Sequence, residues 1–89
     1  MAGFYDKLAA EDVAVLDRLS RLLIELRENR LSLLQRHGCG DEDELMAKIR
    51  SGTVSEHPAY EDYLGAKIIT QTRAALRREL RDYLLEIDP

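Results

Sequence analysis

Between Leu16 and Leu34 the chain reads LDRLSRLLIELRENRLSLL, about half leucine or isoleucine and free of glycine and proline. Leu16, Leu19, Leu23, Leu26 and Leu33 keep a three-then-four spacing, with Arg30 in the one remaining place. A helix turns about 100° per residue, so this spacing draws a seam along one side. Leu22 falls to one side of that seam, and Val13, Ile24 and Leu31 fall to the other. The apolar arc is therefore roughly 200° wide, twice the roughly 100° stripe of a helix resting on a single neighbour. A helix of this kind needs at least two partners to cover it.

The chain offers little material with which to do so. Eighty-nine residues make one small domain, and domains of that size bury only about two-thirds of their unfolded surface or less. A single Cys excludes a disulfide framework within the chain. The hydrophobic share of 45% and charged share of 34% fit a folded helical protein and argue against disorder. A net charge of −4 provides no general attraction to nucleic acid or anionic lipid. No apolar run reaches the roughly 18 residues of a membrane span. The start, MAGFYDKLAAED, lacks the basic and apolar regions of a signal peptide, so a cytoplasmic location is expected.

Taken in order, the pattern predicts three helices over about residues 6–37, 41–51 and 58–87. Asp6 suits the N-cap of the first, and Phe4 and Tyr5 precede it as a lead-in that folds back on the bundle. Gly38 suits the left-handed position that ends it. Asp41 with Glu44 three places on reads as the capped start of a short helix that Ser51-Gly52 ends. Pro58 fits the first turn of the last helix, where its missing N–H has no partner to lose. Two long helices of similar length joined by a short linker imply an antiparallel hairpin.

In the last helix Tyr60, Leu64, Ile68, Thr72, Leu76, Leu80 and Leu84 recur every four residues. Each such step overshoots a turn by roughly 40°, so the stripe drifts around the helix. Its first half is expected to meet the first helix and the short helix. Its second half is expected to meet the first helix or another subunit. Both long helices then carry more apolar surface than one hairpin hides. The expected architecture is all-α, an antiparallel long-helix hairpin with a short helix in the connection, dimerising as a four-helix bundle. The expected interface residues are Leu16, Leu19, Leu23, Leu26, Leu33, Leu76, Leu80 and Tyr83.

Chemistry-bearing residues are sparse. His37, Cys39 and His57 flank the connection, but no Cys-x-x-Cys, His-Glu-x-x-His or Glu-x-x-His is present, and neither metal nor cofactor is expected. Cys39 lies between two glycines, which places its thiol in a mobile turn with no base oriented beside it. Arg30 occupies the seam and Arg27 lies inside the wide arc, so both are candidate buried polar residues. A guanidinium so placed calls for a carboxylate, for which Glu79 and Glu61 on the last helix are the candidates. Arg73, Arg77 and Arg81 form an i,i+4 row, but Asp82, Glu79 and Glu86 balance it, so nucleic-acid binding is not expected. Tyr60 and Tyr63 stand on the first turns of the last helix and are candidate partner-binding anchors.

The long–short–long layout and the run from Leu16-Asp17 to Arg30 resemble the small all-helical chorismate mutases, in which a helical dimer holds a dicarboxylate with arginines and a lysine. Cys39-Gly40-Asp41 stands where that resemblance implies the lysine, and no catalytic residue carries over. The expected role is that of a small non-catalytic interaction or accessory module acting as a homodimer. A small-anion-binding or metal-binding helical enzyme is the alternative, and a nucleic-acid-binding regulator the third reading.

Overall fold

The structure, a computed structural model, describes residues 9–87. These form α1 (Ala10–Gln35), α2 (Glu42–Ser51) and α3 (Glu56–Ile87), with no strand among the described residues. Asp6, Phe4 and Tyr5 lie outside them. Near the start of α1 the Asp12 carboxylate accepts from the Ala9 N–H, and Glu11 and Asp12 face the positive end of the helix.

The connection is built almost entirely from hydrogen bonds that the local sequence supplies. Gly38 takes φ 67°, and the Cys39 N–H returns to the Leu34 carbonyl at 3.1 Å. A left-handed residue just beyond the last turn turns the chain back and satisfies end carbonyls that a helix leaves open. Lys48 of α2 completes this end, its ammonium donating to the His37 carbonyl at 3.0 Å. Asp41 caps α2 by accepting from the Glu44 N–H at 2.8 Å, and Glu44 reaches back to the Gly40 N–H at 2.9 Å. α2 ends at Gly52, φ 76°. His57 breaks the helical run near the start of α3, so the unbroken helix begins at Pro58.

Three hydrogen bonds between α1 and α3, or just past the end of α1, define the direction of the long helices. His37 meets Asp62, Arg73 donates to the Leu23 carbonyl, and Tyr83 donates to Asp12. As one number falls the other rises, so the helices are antiparallel. Ala59, Asp62, Ala66, Ile69, Arg73, Leu76, Leu80, Tyr83 and Ile87 are all buried or half-buried. That set repeats the three-then-four spacing of α1 and is the true inner seam of α3.

This overturns the expected docking of α3. Tyr60, Leu64 and Ile68, expected against α1 and α2, are 43%, 39% and 61% exposed. The four-residue row is conspicuous in hydropathy, whereas the seam inside it begins with alanines and an aspartate. Close helix packing selects small residues and paired polar ones at such places, and neither registers as apolar in the sequence.

Burial is lopsided along the hairpin. Leu34, Cys39, Leu45, Ala59 and Ala66 make the buried core, joined by Leu33, Ile49, Val54 and Tyr63 at its edge, and all of them lie at the connection end. Leu16, Leu19, Leu23, Leu26, Leu76, Leu80 and Tyr83, toward the open end, are only half-buried. The molecule measures 60 × 19 × 18 Å with a radius of gyration of 17.9 Å. A compact chain of this length has a radius of about 12 Å. No described helix is long and apolar enough to cross a membrane.

Candidate functional site

Three polar ties hold the described hairpin together along its length. At the connection Asp62, only 8% exposed, accepts from or shares a proton with His37 Nε2 at 2.8 Å, and Arg36 approaches its other oxygen at 3.5 Å. In the middle Arg30 Nε donates to both oxygens of Glu42 at 3.1 and 3.3 Å, and the Thr70 hydroxyl donates to the same carboxylate at 2.7 Å. Burial raises the Glu42 pKa, but the bonds from Arg30 and Thr70, with the Arg30 charge, outweigh it and hold the group below its ordinary 4.5. At the open end the Tyr83 hydroxyl donates to Asp12. That bond, desolvation and the negative charges of Asp12, Glu11 and Glu86 push Tyr83 up to about 12.

Arg30 thus finds its carboxylate on α2, not on α3 where Glu79 and Glu61 were expected. The sequence signal for this was present, since Glu42 stands in the first turn of α2, where an anion is already favoured. Arg27, expected inside the apolar arc, is exposed. Cys39, expected in a mobile turn, is 4% exposed in the core, and its thiol donates to the His37 carbonyl at 3.4 Å. The bond from the Cys39 N–H to Leu34 folds the turn under the end of α1 and carries the side chain inward. His57 is exposed and bonds Glu61 at 2.7 Å, away from His37. Among the described residues no three His, Cys, Asp or Glu side chains cluster as metal ligands.

The hairpin has two unlike flanks. On the flank where Arg30 meets Glu42 of α2, Arg73 has Arg77, Arg27 and Arg30 as charged neighbours. Desolvation lowers the Arg73 pKa, and the neighbouring charges of Arg77, Arg27 and Arg30 lower it further. On the opposite flank a Cβ on Gly65 would lie 3.1 Å from Leu33 Cδ1. These two sets of neighbours establish which side of α1 meets which side of α3. By the helical wheel, Val15, Leu22, Leu26 and Leu33 turn to the flank away from α2, as do Gly65, Ile68, Thr72 and Leu76. This second flank is largely apolar, and Leu22 and Ile68 are 38% and 61% exposed on it.

The seven leucines and the tyrosine of the expected interface line the inside of the chain's own hairpin. The more exposed apolar residues are Val13, Leu22, Ile24, Tyr60, Leu64, Ile68 and Leu85. Leu22 departs from the seam in the sequence and carried the only early signal among those on the flank away from α2. Tyr60 and Tyr63 stack with ring centroids 6.1 Å apart, and Lys67 sits over the half-buried Tyr63 ring at 5.9 Å. Tyr63 belongs to the edge of the core, which leaves Tyr60 as the accessible member of the pair.

No curated protein and no solved structure matches the chain. The profile of the Uncharacterized protein MJ0235 family matches residues 6–87 and so covers all three helices, and the chain belongs to that family.

Proposed function

We propose that this chain is a non-catalytic helical interaction module of the cytoplasm that works as a homodimer, two hairpins forming a four-helix bundle. One observation carries the reading. The inner seam of both long helices is buried at the connection and only half-buried from Leu16 to Leu26 and from Leu76 to Ile87. A half-covered leucine seam retains free energy that further burial would release, about 25 cal/mol for each Å² of apolar surface. A second hairpin supplies the missing cover with the same kind of surface. The three polar ties support a structural rather than catalytic use, because each is closed within the chain and none leaves a nucleophile beside an oriented base.

Light scattering across micromolar concentrations tests this. The expected mass is twice 10.2 kDa. A monomer that persists at the highest concentrations overturns it.

A second reading, a small-anion-binding protein, is favoured by the arginine flank. Arg27, Arg73 and Arg77 have no ion pair with a carboxylate among the described residues. Calorimetric titration with inorganic phosphate distinguishes it: saturable binding lost in Arg73→Gln, with helical content kept, would favour this reading over the first.

A further inference from the structure

The homodimer reading leaves open which face two copies share and how they are turned. We propose that two copies dock through the apolar flank opposite α2, about a two-fold axis parallel to the hairpin, so that both connections lie at the same end and α1 of each copy rests on α3 of the other. This rests on the homodimer reading and adds a face, a direction and specific ion pairs.

The area argues for a second copy as the occupant. The chain exposes 6342 Å², whereas a compact monomer of this mass exposes about 5,300 Å². A rod of 60 × 19 × 18 Å keeps more surface than a compact chain of its mass, and a standard interface takes roughly 800 Å² from each partner. The flank opposite α2 carries Leu22, Leu26, Leu33, Ile68 and Leu76, with Thr72 as a small residue between the larger ones. The other flank holds the arginines and is partly occupied by α2, and the exposed Val13 and Ile24 lie at its α1 edge, off the seam.

Charge selects the direction. Arg18 and Arg36 lie on the outer edge of the flank on α1, and Glu61 and Glu79 lie along its edge on α3. All four residues are exposed. The bonds Asp12 to Tyr83, Leu23 to Arg73 and His37 to Asp62 give the level of each α1 residue against α3. By that register Arg18 stands level with Glu79, and Arg36 with Glu61. An axis parallel to the hairpin preserves these levels while placing α1 over α3, so each arginine meets a glutamate of the other copy, twice over by symmetry. An axis across the hairpin instead lays α1 on α1 and α3 on α3, setting arginine edge on arginine edge and glutamate edge on glutamate edge. Glu11 and Glu86 are the one like-charged pair of the chosen arrangement, and they meet at the open end. Arg18 and Glu79 have no ion pair within the chain among the described residues, whereas the exposed Arg36 and Glu61 side chains keep ties to the buried Asp62 and to His57 that an opposite charge can supplement.

The test measures the dimer dissociation constant of the full chain by sedimentation, with circular dichroism as the control for folding. Ile68→Asp, at a position exposed in the single chain, is expected to keep helical content and weaken dimerisation more than tenfold. Arg18→Glu and Glu79→Arg are each expected to weaken it on the order of fivefold, and the combined variant to return close to the parent value. With Cys39→Ala and Thr53→Cys, spin labels near the two connections are expected to lie far closer than the 60 Å length of the molecule. A parent chain that never dimerises overturns the homodimer reading itself. A dimer indifferent to Ile68→Asp overturns the face while leaving that reading standing. Absence of rescue, with labels separated by about the molecular length, overturns the direction alone.

Discussion

Glu42 shows how one carboxylate joins three helices. It belongs to α2, accepts from Nε and Nη2 of Arg30 on α1 and takes the hydroxyl of Thr70 from α3. The pair is about one-fifth exposed or less, so removing one partner strands the other in poor solvent. Arg30→Leu is expected to cost about 1–2 kcal/mol, while Arg30→Leu with Glu42→Leu lies close to the parent, because packing replaces the pair. Chemical denaturation of the two variants checks this. The sign of the pH dependence follows from the lowered Glu42 pKa. Its contribution is fully present above the ordinary value of 4.5 and is lost as pH falls through the lower folded value, so acid unfolding begins at higher pH in Arg30→Leu. Tyr83 behaves in the opposite sense. Its pKa is raised from 10 to about 12, so its tie to Asp12 is intact below pH 10 and is lost as pH rises through about 12. Tyr83→Phe is expected to flatten the alkaline limb of stability between those values, as read by melts at stepped pH. Cys39→Ser places a hydroxyl in the core and is expected to lower stability by about 1 kcal/mol.

The long helices hold each other by spacing, and at Gly65 the α3 backbone lies close to the Leu33 side chain of α1. A glycine inside a helix costs about 1 kcal/mol relative to alanine. Against that gain stands the 3.1 Å approach to the end methyl of Leu33, a half-buried side chain able to yield by a few tenths of an ångström. Gly65→Ala is therefore expected to raise the melting temperature, by less than the full propensity of about 1 kcal/mol implies. A fall would mean that Leu33 is held as rigidly as a core residue. α2 is short and depends on its ends. Losing the Asp41 cap by Asp41→Ala is expected to cost about 1 kcal/mol, visible in the same melts.

At the scale of the whole molecule the decisive property is the uneven burial along the rod. Among the described residues the buried core consists of Leu34, Cys39, Leu45, Ala59 and Ala66, which is small for a stable domain. Stability is accordingly expected to depend on protein concentration, the melting temperature rising several degrees over a hundredfold increase, because association is linked to folding by mass action. Scanning calorimetry at two concentrations reads this directly. A melting temperature independent of concentration would mean that the single hairpin suffices.

Periodicity and local end signals determined the elements and their order. The leucine spacing of α1, the glycine that ends it, the Asp41 cap and Pro58 all act within a few residues, so the bare chain displays them. The partner of each long-range group was decided only in three dimensions. Arg30 had carboxylates available on two helices, and the position of α2 over one flank gave it Glu42. Cys39 looked like a surface thiol until the turn after α1 rolled it under Leu34. The seam of α3 was hidden because alanine, aspartate and arginine occupy places where hydropathy expects leucine. Spacing along a helix says which residues share a side, but which side faces inward is set by small residues that let backbones approach and by polar residues that find partners across the gap.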